Sequence, residues 1–284
     1  MPELPEVETI KLDLQRLIKN KKIKSVDVNL AKQIKMPVAK FLRLVQGIKV
    51  KQVKRRAKML LMELNNGYHL VFHLKMTGQL LYRGVGGKLA GGGHPIKQIL
   101  QELPNKYSHV VFNFSDGGKL FFNDTRQFGW VKLMNQKELK ELEQNLGPEP
   151  LKINAQRFKN IFKNKKIPIK PALMEQKLLA GVGNIYAMEA CWCAGILPTR
   201  LSSELSGHEF KKLFNCLVKI LKLAIVKKGT TAKDYVDVLG RQGSMWSYLK
   251  VYGRDKEKCK RCGEKLILIK QRQRTTVYCN KCQK

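Results

Sequence analysis

The hydrophobic period of this 284-residue chain switches from a long strand region to a helical one near its middle, and that change limits what it can fold into. From about residue 23 to 134 the pattern is that of strands. Ile48, Val50, Val53, Leu60, Met62 and Leu64 lead into Asn66-Gly67, a dipeptide suited to tight hairpins because both positions tolerate positive φ. Tyr68 to Tyr82 reads as the return. Val110 to Phe114, Asp116-Gly117 and Leu120 to Phe122 predict a second hairpin. Together these predict an all-β layer, most simply a sandwich. After Gly147-Pro148-Glu149-Pro150 the period becomes helical, with helices expected near 154–164, 170–180, 184–194 and 203–227. The last carries Leu205, Phe210, Leu213, Phe214, Leu217 and Leu221 as a core stripe. Ahead of the strands, Val7, Ile10, Leu14, Leu17 and Ile18 share one face of a helix over 5–18. The six glycines of 84–93, followed by His94-Pro95, predict a mobile loop; GxxxxGK[ST] is absent, which speaks against a phosphate cradle. The fold class is α+β in two domains: a β-sandwich domain with flanking helices over 1–134, a linker over 135–150, a helical domain over 151–250 and a cysteine-rich module over 251–284.

Lysine and arginine number 55 against 22 acids, a formal net charge of +33. Such a balance favours a polyanion, most simply nucleic acid, although lysines spread along the whole chain also fit a general lysine bias. No run of eighteen apolar residues exists and the N-terminus lacks a basic-then-apolar pattern, so neither a membrane span nor a secretory signal is expected. Four of the seven cysteines form two CxxC pairs, Cys259/Cys262 and Cys279/Cys282, sixteen residues apart. That spacing suits one tetrahedral zinc in a reducing compartment, with an iron–sulfur cluster as the alternative. Four cysteine ligands leave no position for an activated water, so the zinc is expected to be structural. Lys270, Arg272 and Arg274 near the turn between the pairs suit phosphate contact. Cys191, Cys193 and Cys216 fall in predicted helices and read as small buried hydrophobes.

The first eight residues, Met1-Pro2-Glu3-Leu4-Pro5-Glu6-Val7-Glu8, hold three carboxylates and two prolines. Pro at the first turn with acids beside it is a good helix start. A second reading coexists with this one. Removal of Met1 would leave Pro2 with a secondary amine. An α-amino group titrates near 8 and a lysine near 10.4, so at pH 7 roughly a tenth of the former is free base, against about one in 2500 of the latter. A secondary amine that adds to an aldehyde carbon loses water to a cationic iminium, an electron sink that needs no further proton. Gly181-Val182-Gly183-Asn184 lies between two predicted helices, where Asn184 can cap the second or the turn can receive phosphate. Asp124 to Gly129 places Arg126 and Phe128 on a turn. There an arginine can reach a base edge and a phenylalanine can wedge, or the pair can be a surface arginine with a core phenylalanine.

Taken together, these segments resemble the bacterial formamidopyrimidine-DNA glycosylase family. The likeness is carried by Pro2 to Glu8, Arg55-Arg56-Ala57-Lys58, His73-Leu74-Lys75-Met76-Thr77-Gly78, Asp124 to Gly129, Gly181-Val182-Gly183-Asn184-Ile185-Tyr186-Ala187 and Gln273-Arg274-Thr275 running into Tyr278-Cys279 and Cys282-Gln283. It spans essentially the whole chain. The resemblance implies a helix-two-turn-helix arrangement in the second domain and a monomeric bacterial, cytoplasmic repair enzyme. Its substrate would be double-stranded DNA carrying 8-oxoguanine or ring-opened formamidopyrimidines, and it would cut the abasic strand by β- and δ-elimination. It further implies Pro2 as nucleophile at C1′, Glu3 as acid/base, Glu6 as support, and Lys58 and Arg274 as catalytic phosphate contacts. His73, Lys106, His109 and Asn184 are implied to meet DNA, and Met76, Arg126 and Phe128 to fill the space left by an extruded nucleotide. Gly229 to Tyr235 resembles the start of a loop over the lesion. Ala57 and Lys75 stand where glycine is usual, Gln127 where a basic residue is, Thr125 where proline is common and Leu266 where a β-branched residue is. The competing readings are an endonuclease VIII-like enzyme for oxidised pyrimidines, disfavoured by Leu4 and Phe128, and a non-catalytic zinc-finger DNA binder, which would need neither Pro2 nor Glu3.

Overall fold

The computed structural model describes residues 1–87, 89–93, 103–230 and 244–284. They form two compact units. One is Met1–Glu143 with the described part of Lys227–Ser244, and the other is Gln144–Val226 with Met245–Lys284.

In the first unit the order is α1 (Leu4–Ile18), β1 (Ile23–Val28), α2 (Val38–Val45), β2 (Val50–Arg56), β3 (Met59–Leu64), β4 (His69–His73), β5 (Gly78–Arg83), β6 (Leu89–Gly93), β7 (Ser108–Phe114), β8 (Lys119–Asp124), β9 (Trp130–Met134) and α3 (Gln136–Gln144). The strands make two antiparallel sheets, β1-β7-β8-β5-β6 and β2-β3-β4-β9. Their inner faces meet in one apolar core, where Phe72 lies edge-on to Phe112 and tilted against Phe122. α1 sets Val7, Ile10, Leu14 and Ile18 into that same core and packs on β2, β3, β5 and β6. Its N-terminus is therefore anchored by the best-buried part of the unit. Burial of such an aliphatic side chain is worth about 1.5–3 kcal/mol.

Two expectations change here. Tyr68 to Tyr82 is not one return strand. β4 pairs with β3 and β9, while β5 pairs with β8 and β6, so the chain crosses between sheets over Leu74–Thr77. The glycine-rich segment is not a loop throughout. Leu89–Gly93 is an edge strand in register with β5, Gly91 opposite Leu81 and Gly93 opposite Gln79. Gly91 has φ +113°, and a Cβ there would strike the Leu80 carbonyl. The glycines thus mark a close backbone approach on the edge strand beside α1. His94-Pro95 and the segment through residue 102 lie outside the described residues.

In the second unit α4 (Ala155–Phe162), α5 (Ile169–Met174), α6 (Asn184–Ala194) and α7 (Gly207–Val226) precede β10 (Ile267–Gln271) and β11 (Arg274–Tyr278), an antiparallel hairpin. Phe158, Phe162, Phe210 and Phe214 join the core in which α7 packs on α4 and α6. α5 ends at Met174, short of 180, because Gln176 organises the next turn. Its Nε2 donates to the Met174 and Val182 carbonyls, and its Oε1 accepts the Gly181 N–H. α7 begins at Gly207 because Ser206 and Glu209 form a reciprocal cap just before it. Cys191 is buried as a small hydrophobe, but Cys193 and Cys216 are not. They are half-buried and joined as a disulfide between α6 and α7. Helical periodicity could not pair two cysteines on different helices. Among the described residues no helix is long and apolar enough to cross a membrane.

Candidate functional site

The first unit fixes the start of the chain closely. Glu3 is the N-cap of α1 and is only 3% exposed, with Pro2 buried ahead of it and Met1 outside. The Glu3 N–H donates to Glu6 Oε2 at 2.9 Å. Glu6 Oε1 accepts both the N–H and the hydroxyl of Thr230, at 2.9 and 3.0 Å. One buried carboxylate thus ties the first turn to a residue 224 positions later. Gly229 makes room for it. Its φ is +84°, and a Cβ there would come within 2.9 Å of Glu6 Cγ. Thr231 to Tyr235, the segment likened to a lesion-covering loop, lies outside the described residues.

Lys58 lies in the turn between β2 and β3 and is 6% exposed. The turn is held from α1. Arg55 Nε donates to Glu8 Oε2 at 2.7 Å, and its guanidinium donates to the Ala57 carbonyl at 3.0 Å. Ala57 adopts φ +54°, where a Cβ is strained. Burial pushes the Glu8 carboxyl up, but the hydrogen bonds and charges of Arg55 and Lys11 outweigh it and hold it below the usual range. Neither Glu8 nor Arg55 stood among the expected site residues. Their only sequence signal is membership in the two quoted motifs.

The crossing between sheets presents Met76, half-buried, and the β8–β9 loop presents Arg126 and Phe128. Phe128 is 56% exposed, so the core-phenylalanine reading fails, and the Arg126 guanidinium lies 4.9 Å from its ring centre. Buried Asp124 closes both turns. It accepts the Thr77 hydroxyl, the Arg126 N–H at 3.2 Å and the Gly129 N–H at 2.6 Å. Thr77 in turn accepts the Arg126 N–H at 3.1 Å. Lys75 and Gln127 sit at φ +50° and +58°. Three departures from the family pattern, Ala57, Lys75 and Gln127, therefore occupy left-handed positions. His73 Nδ1 accepts the Lys75 N–H at 3.0 Å, leaving Nε2 as the donor. Burial, with Lys75 and Lys58 nearby, pushes the His73 ring down to about 3, so it is neutral at pH 7. Lys106 is exposed, its ammonium over the Tyr107 ring. His109 is a different case. It is 4% exposed and its Nε2 donates to the Asp124 carbonyl at 2.6 Å, bracing the start of the β8–β9 loop from inside. In this arrangement its ring faces the protein interior, not solvent.

The second unit gathers Asn184, Arg274 and the cysteines. Asn184 does not cap α6. Gly183 holds that position, and the Asn184 amide donates instead to the Thr275 carbonyl at 3.1 Å. The fully buried Lys170 donates to the same carbonyl and to the Thr276 hydroxyl, at 3.2 and 2.7 Å. Two side chains thus grip the residue after Arg274. Arg274 and Arg272 border a recess of about 190 Å³, with Lys170 and Glu175 among its walls. The Sγ atoms of Cys259, Cys262, Cys279 and Cys282 all lie within 4.8 Å of one another. A tetrahedral site with Zn–S near 2.3 Å has edges of roughly 3.8 Å, so the four fit zinc. Trp192 Nε1 and the Arg261 N–H both donate to Cys259 Sγ at 3.5 Å, an outer shell suited to a bound thiolate.

Comparison with known proteins agrees along the chain. Residues 1–131 match the formamidopyrimidine-DNA glycosylase N-terminal domain, 146–235 its H2TH domain, and 256–284 the zinc finger found in FPG and IleRS. The formamidopyrimidine-DNA glycosylase of Carboxydothermus hydrogenoformans is 40% identical over 287 residues, covering all of both chains. That of Pelotomaculum thermopropionicum is 38% identical over 289 residues, covering 100% of this chain and 99% of the relative. Among solved structures, the Lactococcus lactis Fpg complex with abasic-site DNA is 30% identical with a TM-score of 0.87. The complex of the wild-type Lactococcus lactis Fpg with DNA containing N7-benzyl-Fapy-dG is likewise 30% identical with a TM-score of 0.87. Each likeness covers 99% of both chains.

Proposed function

Because this chain belongs to the formamidopyrimidine-DNA glycosylase family, a base-excision DNA glycosylase family with abasic-site lyase activity, we propose that it works through Pro2 on oxidised purines in duplex DNA. Zinc, held by the four cysteines, stiffens the β10–β11 hairpin that carries Arg274. The observation that carries the reading is the Glu6 bridge. It fixes the Glu3 N–H, and so the residue beside Pro2, with two bonds to Thr230 on its other oxygen.

After Met1 is removed, the Pro2 nitrogen attacks C1′ and the bond from C1′ to the base breaks. Glu3, beside it, delivers a proton as the sugar ring opens. The resulting iminium withdraws electrons from C2′, so loss of the C2′ proton expels the 3′-phosphate, and a second elimination expels the 5′-phosphate. Lys58 and Arg274 hold those phosphates and stabilise their negative charge as they leave. His73, as a neutral donor, together with Lys106 and Asn184, grips the backbone. Arg126 reads the unpaired base while Met76 and Phe128 fill the gap. His109 acts through the loop that it braces. The protein acts as a single chain in the bacterial cytoplasm, where its DNA is.

Borohydride tests this directly, since it reduces the iminium to a stable amine. On an 8-oxoguanine duplex, the protein should be trapped on DNA with the adduct on the N-terminal peptide. An N-terminal extension should abolish trapping, because an amide nitrogen has no lone pair to give. An adduct on Lys58 would replace Pro2 as nucleophile. Faster trapping on thymine-glycol duplex would favour the oxidised-pyrimidine reading.

A further inference from the structure

The Cys193–Cys216 bond lies outside both the zinc site and the groups assigned to DNA. The two cysteines come from facing helices, their Cα atoms 5.9 Å apart, within the range a disulfide spans without moving backbone. Both residues are half-buried and not enclosed in the core. Cys191, two residues away, is fully buried, and burial pushes its thiol up to about 12, which leaves it inert. The surroundings of the pair are cationic. Lys212 and Lys219 stand four before and three after Cys216, on its face of α7, and both are exposed. The Arg261 guanidinium donates to the Cys193 carbonyl and lies 4.2 Å from the Trp192 ring centre. Positive charge favours the thiolate, the form that attacks in thiol–disulfide exchange, and attracts an anionic reagent.

We propose that Cys193 and Cys216 are a reversible redox pair that clasps α6 to α7 and is oxidised by small anionic disulfides such as oxidised glutathione. The Cys216 thiolate attacks one sulfur of the small disulfide, that S–S bond breaks, and one small thiolate leaves and takes a proton. The Cys193 sulfur then attacks Cys216 Sγ and expels the second small thiol. The protein gives up two electrons and two protons, and the disulfide becomes two thiols. The closed clasp stabilises the helical unit while leaving Asn184, Arg274 and the zinc thiolates untouched.

Zinc-loaded protein is equilibrated in reduced and oxidised glutathione mixtures, quenched in acid, alkylated and mapped by mass spectrometry. Cys193 and Cys216 should become protected together, with a mass loss of two hydrogens and zinc retained. The oxidised protein should melt roughly 5–10 °C above the reduced one. The Cys193→Ser/Cys216→Ser protein should melt at one temperature in both buffers. The proposal is overturned if both cysteines stay alkylatable in excess oxidised glutathione. It is equally overturned if they carry only separate glutathione adducts, if zinc leaves at the same potential, or if the double variant keeps the redox-dependent melting shift.

Discussion

Arg55 and Glu8 are the residues whose roles can be separated most cleanly. They hold the turn of Lys58 and are assigned no contact with DNA, so their effect should run through Lys58. Arg55→Met is expected to slow strand cleavage at a preformed abasic site about tenfold, on the order of 1.4 kcal/mol. In a Lys58→Ala background the same change should cost nothing further. Multiplicative loss in the double variant would make Arg55 a general stabiliser instead, and no effect of Lys58→Ala alone would remove Lys58 from the mechanism. His73 gives a pH signature. Its ring is held neutral in the fold down to about 3, whereas the unfolded chain takes up that proton below its ordinary 6.5. The unfolded state therefore binds more protons between these values, and stability falls as pH falls through that window. Urea unfolding at pH 7 and pH 5 should show a smaller loss in His73→Phe than in the parent; equal losses would contradict the burial argument.

The proposed wedge is built from two turns, and Asp124 joins them. Asp124→Asn keeps the shape but turns an acceptor toward a donor, which costs roughly 1–3 kcal/mol in a buried network. Excision from duplex should fall more than nicking of an abasic site, where little unstacking remains to be done. Equal loss on the two substrates would mean a folding defect. This element also shows what a linear reading can reach. The hairpin over 110–122, the helix over 184–194 and the two CxxC pairs are legible because hydrophobic period and ligand spacing are local. The Thr77–Asp124 and Arg55–Glu8 contacts each join residues 47 apart, and local pattern has no access to them. The motif holds Asp124 along with Arg126 and Phe128, yet nothing in the linear pattern shows that this carboxylate positions them. The glycine strand misled for a related reason: its composition is that of a loop, and the close approach of the β5 backbone, at Leu80 for Gly91 and at Gly78 and Gln79 for Gly93, leaves no room for side chains there.

Across the whole molecule, the net charge of +33 should dominate encounter with DNA. Six to ten phosphate contacts predict an affinity loss of roughly 10³–10⁵ between 50 and 200 mM salt. A shallow slope by fluorescence anisotropy would mean fewer contacts than the site suggests. Since His73 is neutral, replacing it should leave that slope nearly unchanged, whereas Arg274→Ala should lower it by about one. Within each unit, segments distant in sequence serve one another, and at Gly229 this has a genetic consequence. Any side chain there meets both a strained backbone and the Glu6 carboxylate that holds the N–H beside Pro2. An allele at codon 229 would then behave as a lesion of the chain's first turn. A screen for mutator strains would map it far from the proposed nucleophile on the gene, yet suppressors would be expected among the first eight codons.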